Sequence, residues 1–148
     1  ELEAMGKICR TFGKEKRAEY YQEKKTKLVE AIQNECWDKR DQFFYSVDVD
    51  IKTRKFDWFH EGLGVFWKTL PIKIGLVGFI PMYAGFATKE QAEAMVHHIF
   101  DEETFASLYG VTTLAKDEKM FDLSVTNNPS NWLGPIWLVA NYIILKGF

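Results

Sequence analysis

The stretch Asn128–Trp137, with the apolar run behind it, constrains this chain most. Asn128-Pro129-Ser130-Asn131-Trp132-Leu133-Gly134-Pro135-Ile136-Trp137 has the residue types of a helix start. Ser130 or Asn131 suits the capping of first-turn amides. Gly134 admits close approach of another group. Pro135 falls where a first-turn proline is tolerated, since its missing donor would be unpaired there anyway. Behind it, Ile136, Trp137, Val139, Ala140, Tyr142, Ile143, Ile144 and Leu145 predict a helix apolar nearly all round, the pattern of a buried helix, with Gly147 as its stop. Such a helix needs neighbours on every side. Trp132 and Trp137 at its mouth suggest a ring-stacking platform, although aromatic rings at a helix start serve a core equally well.

The rest of the chain supplies helical segments and one extended stretch. Glu1–Phe12 carries Leu2, Met5, Ile8 and Phe12 on one face, with Gly13 as terminator. It opens without a capping signal, so the natural element is expected to start earlier than Glu1. Lys14–Trp37 predicts a long helix with Ala18, Tyr21, Lys25, Leu28, Ile32 and Cys36 on its inner stripe. Lys25 is expected to snorkel there, and the charges of Lys14–Lys27 read as a solvated face. After a loop at Lys39–Gln42, Phe43–Ile51 alternates with a period of two, which predicts a short strand or ribbon. Asp48 and Asp50 fall on its polar side and lack the glycine and distal glutamate of a calcium loop.

Lys52–Thr69 has no clear period and reads as a long aromatic loop, the kind often packed over a cleft. Its His60-Glu61 pair suits either a surface position or acid/base work. In Pro71–Ala87, Gly75 and Gly78 predict close backbone approach, and Pro81 is expected to set a helix's first turn. Thr88-x-x-Gln91 is a capping box; it opens a helix whose core face is Ala92, Met95, Val96 and Ile99. His97 and His98 diverge by about 100° on that helix, a poor arrangement for one metal. Asp101-Glu102-Glu103 reads as a solvated cap, and Phe105–Asp122 as a connector.

A net charge of −2 over 148 residues gives no global case for nucleic acid. The apolar runs Ile74–Ala87 and Trp132–Leu145 fall short of the roughly 18 to 20 residues that span a bilayer. No signal peptide is visible, which favours a cytoplasmic setting. Cys9 and Cys36 read as buried thiols and not as a disulfide or metal pair. The sequence calls for no cofactor and no metal.

The motif N-x-x-N-W-x-G-P-I-W, here Asn128–Trp137, resembles the Y-W-R-G-P-I-W or N-W-R-G-P-I-W pattern of glycoside hydrolase family 63 and the related mannosylglycerate-hydrolase-like (α/α)6-barrel proteins. Leu133 stands where arginine is usual, which puts any sugar contact by that arginine in question. P-I-K-I-G-L-V-G-F-I-P-M-Y-A, from Pro71 to Ala84, is similar to a second stretch of the same family, and the resemblance covers most of Lys14–Phe148. It implies a mainly α fold in which helical hairpins form an arc of an (α/α)6 toroid, with one short β-ribbon near 43–51 and 1–148 as one partial domain.

It also implies an inverting hydrolase of α-linked glucosyl or related sugars, whose acid and base stand roughly 6.5–9.5 Å apart. In that family the acid precedes the matching portion and the base follows the tryptophan motif. The chain is therefore expected to hold neither, and to be inactive alone. Asn131, Trp132, Gly134, Pro135 and Trp137 are the expected substrate-binding residues, for an α-linked oligosaccharide or glycoside. An arc of a barrel leaves apolar faces open, so a companion polypeptide or self-association is expected to cover them. Two other readings fit the same residues: a noncatalytic helical module binding carbohydrate or protein, and a trehalase-like (α/α)-barrel hydrolase.

Overall fold

The computed structural model describes residues 1–50, 52–53, 55, 59–61, 65–67, 69–124 and 132–148, with 59–61 and 65–67 described through their backbone. The chain divides into two compact units, Glu1–Glu35 and Cys36–Phe148.

The first unit is a helical hairpin of α1 (Leu2–Thr11) and α2 (Glu15–Glu35). Gly13 reverses the chain at φ 66°, and Lys14 N donates to Cys9 O at 2.8 Å. The small residues Gly6, Cys9 and Ala18 form its buried seam. The expected apolar face of α1 is corrected by this packing: Met5, Ile8 and Phe12 are exposed, Phe12 by 73%. Close approach of two helices is set here by small residues, which leave the larger ones outside. Lys25 interrupts the inner stripe of α2 because its ammonium ends on Glu3, Nζ to Oε2 at 2.7 Å.

The second unit begins with β1 (Trp37–Asp38), so the long helix ends two residues before the expected Trp37. β1 pairs antiparallel with β2 (Phe43–Phe44). The turn between them is tied by Asp38 Oδ1, which accepts from the amides of Arg40 and Asp41 at 2.8 and 2.9 Å. β3 (Ser46–Val47) then pairs with β6 (Thr69–Leu70). The extended stretch near 43–51 is thus two short strands with different partners. Phe43, Phe44 and Tyr45 are consecutively buried as the pairing changes sides, and no alternation survives across them. The loop expected at Lys52–Thr69 is also corrected, because β4 (Phe59–Glu61) and β5 (Val65–Trp67) form an antiparallel hairpin inside it.

The remaining elements are α3 (Gly75–Tyr83), α4 (Lys89–Phe100), β7 (Ala106–Ser107), β8 (Gly110–Val111) and α5 (Leu138–Lys146). β7 and β8 form a further hairpin. α4 opens on the predicted capping box: Gln91 N donates to Thr88 Oγ1 at 3.2 Å, and Thr88 N donates to Gln91 Oε1 at 2.9 Å. Met95 and Ile99 are its buried residues, as expected, together with Gln91.

The core of this unit centres on the Phe43 ring. It stacks on Phe105 with centroids 5.7 Å apart and meets Phe79 and His98 edge-on at 5.7 and 5.4 Å. α3 reaches this cluster through its glycines. A Cβ at Gly78 would stand 2.2 Å from Phe43 Cζ, and one at Gly75 would stand 2.8 Å from Thr112 O. Pro81 lies inside α3, not in its first turn. A proline there removes the bond to the carbonyl of Val77. Burial of Gly75, Gly78, Phe79, Pro81 and Met82 outweighs that loss.

A tryptophan pair held by a threonine rail

Thr112–Leu114 organises the candidate site. Leu114 bridges Ile74 and Thr112 bridges Ile136, both antiparallel. Between them, Thr113 O accepts from Gly75 N at 2.9 Å, and Thr113 N donates to Pro135 O at 3.3 Å. Thr113 Oγ1 accepts from Gly134 N at 3.1 Å. All three rail residues are buried. Asp122 N adds a bond to Leu133 O at 2.7 Å. One short extended run therefore joins the start of α3 to the tryptophan motif.

This pairing corrects the predicted helix start. Gly134, Pro135 and Ile136 run beside the rail, so α5 begins only at Leu138 and Trp137 is its N-cap residue, with extended backbone. Pro135 precedes the helix; without an N–H it suits a strand-like edge. Gly134 sits at φ 137°, and a Cβ there would meet the Phe121 ring at 2.6 Å. The close approach expected at that glycine is present, with an aromatic ring as the approaching group. Gly147 caps the helix end as anticipated.

The two tryptophans come together. Trp132 and Trp137 have ring centroids 4.4 Å apart at an interplanar angle of 52°, and both are half-buried. Of the expected site residues, Trp132, Gly134, Pro135 and Trp137 are thus gathered at the mouth of α5. Asn131, and Ser130 with it, lie outside the described residues. Thr113, Phe121 and Asn141 complete the support and were missed in the sequence reading. The β-branched run Val111-Thr112-Thr113 carried a strand signal inside what reads as a connector.

Charged groups elsewhere in the unit serve structure. Arg40 binds Asp41 through Nε to Oδ1 at 2.8 Å and Nη2 to Oδ2 at 3.0 Å, and Tyr45 donates its hydroxyl to Asp41 Oδ2 at 2.9 Å. The Arg40 hydrogen bond holds the Asp41 carboxyl below its usual range. Burial, and then the bond to Asp41, push the Tyr45 phenol upward. Lys73 pairs with Asp117, while its amide donates to Glu118 Oε1 at 2.8 Å. Asp50 is held down by turn amides, above all that of Thr53, and Asp122 by Ser124. Asp50 is therefore a turn cap, in keeping with its polar-face reading. His98 Nε2 lies 2.9 Å from Asp41 O, and the side chains of His60 and Glu61 lie outside the described residues. Among the described residues, no group of three or more His, Cys, Asp or Glu side chains is gathered for a metal. No described helix is long and apolar enough to cross a membrane.

α5 is buried at Ala140 and Ile144 only. Its opposite face, Leu138, Tyr142 and Leu145, is exposed, Leu138 by 86%. That face lines an open cavity of about 600 Å³ with Ile99, Phe100, Val111 and Phe148. The all-round burial expected for this helix is not met within the described residues, because one of its two apolar sides has no neighbour there.

Comparison with known proteins agrees with the tryptophan motif. A family model described as a mannosylglycerate hydrolase MGH1-like glycoside hydrolase domain matches residues 1–148. A probable mannosyl-oligosaccharide glucosidase of Schizosaccharomyces pombe (strain 972 / ATCC 24843) is 26% identical over 119 residues, 80% of this chain and 13% of that protein. A solved structure titled sialidase superposes with a TM-score of 0.76 at 24% identity, over 99% of this chain and 12% of that one. The chain thus spans a small part of the length of either relative. With a match that runs its full length, the chain belongs to the MGH1-like glycoside hydrolase family.

Proposed function

We propose that the chain supplies substrate-binding wall to an inverting glycoside hydrolase acting on α-linked glucosyl or related sugars. Trp132 and Trp137 form that wall, with Asn131, Gly134 and Pro135 beside them. The observation that carries this reading is the tilted, half-buried tryptophan pair, 4.4 Å between centroids, fixed at the start of α5 by the buried rail. Two such rings offer apolar faces to the C–H surfaces of a sugar, and their rigid placement orients a substrate without moving a proton.

The acid and base come from other polypeptide in this reading. A general acid at neutral pH needs a raised carboxyl pKa. Among the described residues, the displaced carboxyls Glu3, Glu23, Asp41, Asp50, Glu90 and Asp122 are all displaced downward. The exposed side of α5 is covered in the working protein by further polypeptide or by a second copy, since a helix apolar on both sides belongs between two layers. Native mass spectrometry checks that cover: a bare 17.3 kDa monomer as the sole species refutes it.

The wall is tested by titrating the chain with maltotriose while following tryptophan fluorescence. Saturable quenching is expected. Trp137→Ala is expected to weaken it about tenfold and Trp137→Phe to retain most of it, from a ring contact of about 1–1.5 kcal/mol. Unchanged affinity in the alanine variant refutes the wall. Incubation with p-nitrophenyl α-glucoside checks the other half: turnover by the purified chain overturns the external origin of the carboxyls.

A further inference from the structure

We propose that Asn141 is the positioning residue of the tryptophan pair, acting on Trp137 through its side-chain amide; the importance of the pair for sugar rests on the function proposed above. α5 has no side-chain cap at its first residue. The Asn141 amide, one turn into the helix, takes over the task of fixing that end. Its Oδ1 accepts from Val111 N at 2.8 Å, and its Nδ2 donates to Val111 O at 2.9 Å. The side chain thus pairs with both backbone polar groups of one residue, as a neighbouring strand would. The same Nδ2 donates to Trp137 O at 3.0 Å, a carbonyl that also receives the Asn141 backbone amide.

The local sequence fits this clamp. Gly110 sits at φ 138°, and a Cβ there would stand 2.5 Å from Asn141 Oδ1. The amide therefore occupies the space that glycine leaves open. Thr112, the next residue after Val111, bridges Ile136 beside Trp137. Trp137 is consequently held from two directions, through its neighbour by the rail and through its own carbonyl by Asn141. Both donors of the amide and its acceptor are needed, so neither an apolar residue nor a carboxylate can replace it.

The proposal makes a specific demand on Asn141→Asp. The ionised carboxylate still accepts from Val111 N but faces the Val111 and Trp137 carbonyls with no hydrogen to give. Once protonated it regains one donor, and because the two carbonyls disfavour the charged form its pKa lies above the ordinary carboxyl value of about 4. Near-UV circular dichroism reports the tryptophan environments, the coupled pair among them, and far-UV signal reports the helices. At pH 7 the near-UV tryptophan signal of Asn141→Asp, relative to wild type, is expected to fall to about half or less, with the far-UV signal kept. The ratio is then expected to recover as the pH is lowered from 7 towards about 4. Asn141→Leu is expected to lose the signal at every pH.

A ratio that stays flat with pH overturns the proposal. So does a leucine variant with the full near-UV signal, or loss of far-UV signal in both variants, which would make the amide a support of the whole unit. Maltotriose separates this from the preceding reading. If wild type shows no sugar quenching, the proposed function fails while the circular dichroism still decides the role of Asn141.

Discussion

Replacing Gly78 with alanine sets two effects of opposite sign against each other inside α3. In a helix interior, Gly→Ala is normally stabilising by about 1 kcal/mol, because the unfolded chain loses freedom and the helix gains a better former. Here the new methyl would lie 2.2 Å from Phe43 Cζ and 2.4 Å from Cε1. Carbon atoms rest at about 3.5–4.0 Å, so the ring must retreat by more than about 1 Å. Phe43 is fully buried between Phe105, Phe79 and His98, and has nowhere to go. Overpacking of this kind costs about 1–3 kcal/mol and occasionally more, and a carbon contact this short belongs at the upper end. The clash should win, leaving a net loss of about 2 kcal/mol.

Urea unfolding followed by tryptophan fluorescence reads this unit, because all five tryptophans lie in it. The midpoint should fall by about 1 M at unchanged slope. In a Phe43→Leu background the same substitution should become neutral or mildly stabilising, as the shorter side chain vacates the contact. Gly6→Ala in α1 is the companion control, read by far-UV circular dichroism because the first unit holds no tryptophan. Its Cβ would find nothing nearer than Ala18 O at 3.8 Å, so only the favourable helix effect remains. A Gly78→Ala midpoint equal to or above wild type, or a penalty undiminished by Phe43→Leu, refutes the reasoning.

The other predictions are smaller. Thr88→Ala should destabilise α4 by about 1 kcal/mol by removing the acceptor for Gln91 N, read as a lower urea midpoint; Thr88→Ser should restore most of it, and an unmoved midpoint in the alanine variant counts against the cap. The Glu3 carboxyl, held down to about 2 by its hydrogen bonds to Lys25 and then Lys7, should titrate there by NMR and rise towards about 4.3 in Lys25→Ala. Because the folded value lies below the unfolded one, the stabilisation is present above about pH 4 and is lost as pH falls towards 2. A wild-type Glu3 that titrates at its ordinary value removes the ion pair from the account.

What the sequence disclosed was chiefly local. The capping box of Thr88 and Gln91 and the extent of α2 to within two residues follow from neighbours a few positions apart, whereas Gly75 and Gly78 signal a close approach without naming Thr112 and Phe43 as what approaches. The tryptophan motif pointed to the right family and to rings that do meet. The misreadings share a physical cause. Pro81 and Pro135 both read as first-turn prolines on local grounds. The first is carried within α3 by its buried surroundings, and the second is drawn into pairing with Thr113, 22 positions back in the sequence and invisible to any short window. Two-residue strands such as β7 and β8 are too short to show a period. Asn141 carries no motif of its own in the sequence, and its role depends on pairing with Val111, 30 positions away.

The rail also sets an order of assembly. Contacts within the α1–α2 hairpin join residues close in sequence, which form early because little chain must be closed. Thr113 has to meet Gly134 across a separation of 21 residues, and Gly75 across a loop nearly twice as long. Each doubling adds only about 0.6 kcal/mol to closure, so the side bearing the tryptophans is favoured to zip first by that small margin. The aromatic platform can then exist before α3 docks, and the rings are gathered while the core around Phe43 is still open.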